Sequence, residues 1–192
     1  MITLITGYPL SGKSTLARHL QQRLARYSPV YLGTDEVRTE LGLDRRQIVA
    51  GGNFLTDELA RKDEARVYGE IETRARTLSE NPNALIIVDG TYREAVRRRR
   101  IREIAEANQN KAVLIKLTCE DAALVGNLAK AGGDRGKSHA STGVHRAVKS
   151  TFQHPTPDEI AKFSQYYEIN NPLRIPAHLD KIVSGIESLL QI

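Results

Sequence analysis

The chain has 192 residues, 40% hydrophobic and 27% charged, which suits one globular domain with a single sizeable core. Its formal net charge of +5 and isoelectric point near 9.4 favour anionic partners. The lone cysteine, Cys119, excludes an internal disulfide and a cysteine-clustered zinc site; with no signal peptide and no apolar run near the ~20 residues that span a bilayer, a cytoplasmic, membrane-free protein is the expectation.

Ile2 to Thr6 is an apolar run that reads as a buried first strand. It leads into Gly7-Tyr8-Pro9-Leu10-Ser11-Gly12-Lys13-Ser14-Thr15, and the helical pattern of Leu16, Leu20 and Leu24 follows. The spacing is that of a phosphate-binding loop between a strand and a helix. Gly7 and Gly12 permit backbone angles and a close approach that a side chain forbids. The loop's N–H groups and the helix N-terminus then converge on phosphate oxygens. Lys13 is placed to reach the β- and γ-phosphates and Ser14 to ligate Mg²⁺, so the expected ligand is a nucleoside triphosphate, ATP.

Ser28-Pro29 breaks the first helix, and Val30-Tyr31-Leu32 reads as a short strand that delivers Gly33-Thr34-Asp35-Glu36-Val37-Arg38 to its carboxyl end. In an open α/β sheet that end faces the ligand crevice, so Asp35 can accept a proton from an attacking hydroxyl and Arg38, about one helical turn on, can hold the acceptor. The plainer reading is that Thr34 or Asp35 caps a short helix. Residues 40–56 are irregular and suit part of a mobile substrate lip.

Thr56-Asp57-Glu58 starts a long helix to about Glu80, with Val67, Ile71, Ala75 and Leu78 on its buried face and Arg61, Lys62, Arg66, Arg74 and Arg76 solvated. Ala84 to Val88 is a continuous apolar run, as expected of a buried parallel strand. It ends on Asp89, the Walker B position, which holds Mg²⁺ directly or through water. Thr91 and Arg93 lie just beyond, on the substrate side.

A helix from about Arg93 to Asn108 carries Arg97 to Arg100, read as surface charge or as a patch tracking a phosphate backbone. Val113 to Leu117 is the fourth strand, and Glu120 to Ala131 a helix ended by Gly132-Gly133. Residues 130–154 carry Lys130, Arg135, Lys137, Arg146 and Lys149 against Asp134, which suits a lid that closes over triphosphate and supplies Arg135 to the transition state. His139, His145 and His154 read as surface residues. Pro155 to Glu159 starts a short helix, Tyr166 to Ile169 is the fifth strand, and Leu179, Ile182, Val183, Ile186 and Leu189 mark a final amphipathic helix.

Three of these motifs resemble the P-loop kinase family that includes the polynucleotide 5′-hydroxyl kinase domain of bacteriophage end-healing enzymes, with small bacterial AAA-type kinases of metabolites, antibiotics or transfer RNA as relatives. Gly7 to Thr15 is similar to its nucleotide loop, Asp35 to Arg38 to its D-x-x-R element, and Ile87 to Thr91 to its strand-terminal Asp segment; Arg135-Gly136-Lys137 resembles its lid. Val30 to Gly42 also resembles adenylylsulfate kinase. The resemblance implies one P-loop kinase domain over residues 1–192, a three-layer α/β sandwich with a five-stranded parallel sheet and a lid at about 130–154. It further implies Asp35 as general base, Arg38 on the acceptor, and an arginine of the lid on the donor phosphates. A hydroxyl of a small molecule is the expected acceptor, because few aromatics, 5% with no tryptophan, are available to stack bases. A nucleic acid 5′ end is the first alternative, and a nucleotide-dependent switch without transfer the second.

Overall fold

A computed structural model of the protein describes residues 1–43, 58–119 and 142–190. Most of the expected substrate lip, the helix from Glu120 to Ala131, the Gly132-Gly133 hinge and Arg135 lie outside the described residues.

The elements in chain order are β1 (Ile2–Gly7), α1 (Lys13–Arg23), β2 (Val30–Gly33), α2 (Thr34–Glu40), α3 (Glu58–Ser79), β3 (Ile86–Asp89), α4 (Ala95–Ala107), β4 (Ala112–Leu117), α5 (Thr142–Thr151), α6 (Pro157–Ile160), β5 (Gln165–Ile169) and α7 (Ile175–Leu190). The strands form one five-stranded sheet in the order β2-β3-β1-β4-β5, every pair parallel. Apolar runs with no polar alternation make this possible, because a parallel sheet is covered on both faces. All six residues of β1 and all six of β4 are buried.

Alternation along the strands sorts the core into two layers. Ile5, Ile87 and Ile115 face α1 and α7, packing on Leu16, Leu20, Ile182 and Ile186. Leu4, Val88 and Leu114 face α3 and α4, packing on Val67, Ile71 and Ile101. The result is a three-layer α/β sandwich. Its helices keep the predicted faces: Val67, Ile71 and Ala75 are buried on α3, and Leu179, Ile182, Val183 and Ile186 on α7.

Two expectations shift. The helix expected from Arg93 begins at Ala95, after Glu94 in extended conformation, and the Ala95 N–H is taken by the Gln153 side-chain carbonyl. Neither Thr34 nor Asp35 caps α2; Gly33 holds the cap position, and both residues lie inside the first turn. There Asp35 and Glu36 add negative charge where the helix dipole favours it.

The chain moves from β1 outward to β2, back inward to β3, and then across β1 to β4. Where the direction reverses, the carboxyl ends of neighbouring strands open a crevice. Gly33, Asp89 and Gly7 end the three strands that border it.

Candidate active site

The loop after β1 is held by backbone on both sides. Gly7 N–H donates to Thr91 O at 3.2 Å and Tyr8 N–H donates to Leu117 O at 3.1 Å. Gly7 has φ +140°, and a Cβ there would overlap the Leu117 carbonyl, so the tight passage between β3 and β4 admits only glycine. Gly12, at φ +90°, passes under Pro172 and Ile175 and starts α1. The first N–H groups of α1 have no helical partner and stand at the positive end of its dipole. Lys13 Nζ donates to the Tyr8 carbonyl at 2.7 Å, folding its ammonium back over the loop.

Ser14, Asp89 and Tyr31 meet on one carboxylate. Ser14 Oγ donates to Asp89 Oδ2 at 2.7 Å, and Tyr31 Oη donates to the same oxygen at 2.8 Å. Asp89 is buried, and among the described residues its Oδ1 has no hydrogen-bond partner. Burial raises the Asp89 pKa; Lys13, Ser14 and Tyr31 pull the other way, and the nearby Asp35 adds to the rise. Burial, with the charges of Asp89 and Glu36, drives the Tyr31 pKa far upward, so the phenol keeps its proton and serves as a donor. A buried carboxylate oxygen without a partner, beside a serine hydroxyl, is a donor set that fits a hard divalent cation such as Mg²⁺.

Asp35 and Arg38 lie one turn apart on α2, as their spacing predicts. Arg38 Nη1 donates to Asp35 Oδ1 at 2.8 Å and approaches Thr34 O at 3.4 Å. The Arg38 side chain is 10% exposed and the Asp35 side chain 27%, so the pair is largely covered, with the carboxylate the more accessible member. Arg93, expected on the substrate side, pairs with Glu94 at 3.3 Å and Glu64 at 3.8 Å, and its Nη1 reaches Thr151 Oγ1 at 3.4 Å.

The loop residues divide by what their side chains do. Tyr8 is buried with Val144, Val148 and Phe152. Pro9 and Ser11 are buried, Leu10 is half-buried, and Thr15 is exposed on the first turn of α1.

The arginine run is corrected in one member. Arg98 is fully buried: its Nε and Nη2 donate to the two Glu159 oxygens at 2.6 and 2.8 Å, and its Nη1 donates to Tyr92 O at 2.9 Å. Its position on α4 points it inward with Ile101 and Ala105, where only a paired guanidinium is tolerated. Arg97 lies over the Tyr68 ring and pairs with Glu94; Arg99 faces Glu103 and Arg100 faces Glu72, each at 3.7 Å. Every arginine of the run therefore has an acidic partner.

His145 is a second correction. It is buried, and its Nδ1 lies 2.8 Å from the Pro9 carbonyl. His154 is exposed, yet it bridges Tyr8 Oη and Lys116 Nζ. His139 and Arg135 fall outside the described residues. Sequence reasoning missed Tyr31 and His145. Strand parity was the available signal for Tyr31, since it shares a face with Gly33, the register partner of Asp89. For His145 the signal was the fourfold spacing of Val144, Val148 and Phe152, which marks a buried face beside it.

Among the described residues no helix is long and apolar enough to cross a membrane. No curated protein sequence matches the chain. Solved structures share its fold at low identity. A candidate kinase from Chloroflexus aurantiacus superposes with a TM-score of 0.68 at 16% identity, covering 98% of this chain and 97% of its own. Kti12 from Chaetomium thermophilum, in complex with ADP-AlF3, gives 0.67 at 14%, covering 97% and 99%. The APS kinase CysC of Mycobacterium tuberculosis, in complex with AMPPNP and APS, gives 0.60 at 17%, covering 97% and 96%. A family model described as an AAA domain matches residues 2–155, four-fifths of the chain and all of the crevice just described. The chain belongs to this AAA domain family, and its fold is that of the P-loop kinases.

Proposed function

We propose that the protein transfers the γ-phosphate of ATP to a hydroxyl of a small-molecule acceptor. The observation that carries this is the buried Asp89 carboxylate, with Oδ2 fixed by Ser14 and Tyr31 and Oδ1 unpartnered, next to Lys13 and across from Asp35. Ser14 and Asp89 are the residues that would hold Mg²⁺. When bound, the ion neutralises charge on the β- and γ-phosphates.

The chain's own groups do the rest. The backbone of Gly7 to Thr15 cradles the phosphates, and the Lys13 ammonium balances charge that builds on the transferring group. The acceptor oxygen bonds to the γ-phosphorus as the bond to the β–γ bridging oxygen breaks, and ADP leaves. Asp35 takes the hydroxyl proton, and Arg38 orients that carboxylate and contacts the acceptor. Arg135 completes the donor side as the lid's arginine.

A small acceptor is preferred to a nucleic acid end because the arginines of α4 are matched by glutamates and leave no unpaired phosphate track there. Few aromatics, 5% with no tryptophan, stand ready to stack bases. Of the structures that share the fold, the APS kinase binds a small acceptor together with a nucleotide.

The test is transfer from γ-labelled ATP with Mg²⁺ to a panel of hydroxylated metabolites and a 5′-hydroxyl oligonucleotide, with wild type and Asp35→Asn. The expected result is labelling of a small molecule that falls by about 10²–10⁴ in Asp35→Asn while ATP affinity stays within about threefold. Near-normal transfer by Asp35→Asn removes the base. Labelling confined to the oligonucleotide removes the small acceptor, and binding of nucleotide without transfer to any hydroxyl removes the kinase.

A further inference from the structure

The outer side of the phosphate loop is gripped by α5. Tyr8 inserts between Val144, Val148 and Phe152, edge-on to the Phe152 ring at 5.3 Å and to the His145 ring at 5.5 Å. One residue further, the buried His145 places Nδ1 2.8 Å from Pro9 O. A carbonyl oxygen can only accept, so Nδ1 carries the proton. Leu10, the next residue, has φ +63°, a left-handed conformation in which the Cβ of an L-residue crowds the backbone carbonyl, and which persists where its surroundings fix it.

These facts combine through the geometry of one peptide. No peptide among the described residues is cis. In a trans peptide the carbonyl and the following N–H point in opposite directions. With the Pro9 carbonyl turned outward to His145 on α5, the Leu10 N–H is turned away from α5. Pro9 has no N–H of its own, so the Leu10 N–H is the first donor the loop has after Tyr8.

We propose that His145 is a positioning residue for nucleotide binding, holding the Pro9–Leu10 peptide so that the Leu10 N–H faces the phosphates. This rests on the reading of Gly7 to Thr15 as the phosphate cradle. His145 touches no phosphate; it fixes one donor in advance, which spares the loop the cost of ordering that peptide when the ligand arrives. Without it the peptide is free to leave the left-handed region and one phosphate contact is lost. The device joins α5 to the loop through a polar bond as well as through packing on Tyr8, and the two contributions can be separated.

Two substitutions separate them. His145→Phe keeps a ring against Tyr8 and removes the donor. His145→Asn loses the ring and keeps an N–H near the place of Nδ1. Affinity for ADP with Mg²⁺ is measured by calorimetry for the intact chain, alongside thermal melting. The expected result is about tenfold weaker binding by His145→Phe and binding by His145→Asn within about threefold of wild type. Wild-type affinity in His145→Phe overturns the proposal. So does an affinity in His145→Asn as poor as in His145→Phe when both melt as wild type does, because packing alone then sets the loop. Wild-type protein that binds no ADP fails the phosphate-cradle reading itself and takes the proposal with it. Should His145→Phe not fold, the imidazole ¹⁵N spectrum of the wild type decides: a protonated Nδ1 supports the bond to Pro9, and a bare Nδ1 with the proton on Nε2 alone overturns it.

Discussion

Tyr31 and Asp89 stand on adjacent strands, and the Tyr31 hydroxyl reaches Asp89 Oδ2 at 2.8 Å across a gap that only glycine leaves open. Gly33 is the register partner of Asp89, with an ordinary extended backbone at φ −94°. A Cβ there would lie 2.5 Å from the Tyr31 hydroxyl and would also overlap Glu36. Gly33 is thus needed for space rather than for a special backbone angle.

Tyr31→Phe keeps the ring and removes one of the two donors that fix Asp89 Oδ2. The Mg²⁺ concentration needed to support nucleotide binding is expected to rise about tenfold, the size typical of losing an outer-shell partner of a metal site. Stability should fall by about 1 kcal/mol. Gly33→Ala should give the same metal phenotype with a larger loss, about 1–3 kcal/mol, because the ring is pushed from its place. A Mg²⁺ titration of ADP binding checks both, and unchanged Mg²⁺ dependence in Tyr31→Phe would show that Ser14 alone orients the carboxylate.

Neighbouring arginines on α4 should behave in opposite ways. Arg98→Met strands Glu159, whose side chain is 14% exposed, and takes a donor from the Tyr92 carbonyl, so a loss of about 3 kcal/mol is expected. Arg99 is 59% exposed and its partner Glu103 is 53% exposed, and Arg99→Ala should stay within about 0.5 kcal/mol of wild type. Urea unfolding of the two variants measures the contrast. Equal losses would mean that the Arg98–Glu159 pair is worth no more than a surface pair.

Acid sensitivity should trace in part to Glu168. Burial pushes its carboxyl up, but hydrogen bonds from Lys116 and Tyr166 and the Lys116 charge outweigh it, and the net pKa lies below the ordinary 4.5. Lys116 holds Glu168 at 2.7 Å and is itself buried. A carboxylate with a depressed folded-state pKa contributes stability above its unfolded value, and that contribution is lost as pH falls from about 4.5 through the folded pKa. Unfolding free energy measured from pH 6 to pH 3 should therefore drop more steeply in wild type than in Glu168→Gln, which has no proton to gain. Parallel slopes would remove Glu168 from the acid transition.

The fold was legible because its signals are local. Apolar runs such as Leu85 to Val88 and Val113 to Leu117 have no polar alternation, and phosphate-loop spacing ties the first of the strands to the first helix. The meeting of Ser14 with Asp89 followed from the two motifs lying at the ends of neighbouring parallel strands. What could not be read was pairing that depends on three-dimensional register. Whether Arg98 faces in or out turns on the phase of α4 against α6, which four identical residues conceal. His145 lacks the close spacing of a metal site, so its partner, a backbone carbonyl 136 residues away, leaves no mark in the sequence. Tyr31 reads as an ordinary strand residue until the neighbour of Gly33 is known to be Asp89.

The central place of β1 has a consequence for how the chain is made. Ile2 pairs with Ile86 on one side and Ala112 on the other, so β1 is made before either of its neighbours exists. At ribosomal rates of about 5–20 residues per second, its two edges stay unpaired for on the order of ten seconds after it leaves the tunnel. Throughout that interval an apolar ribbon with no permanent neighbour is open to any other strand. Parallel partners so distant along the chain also make loop closure costly, which slows spontaneous refolding. Sheltering β1 until β3 and β4 have been made should therefore raise the yield of native protein.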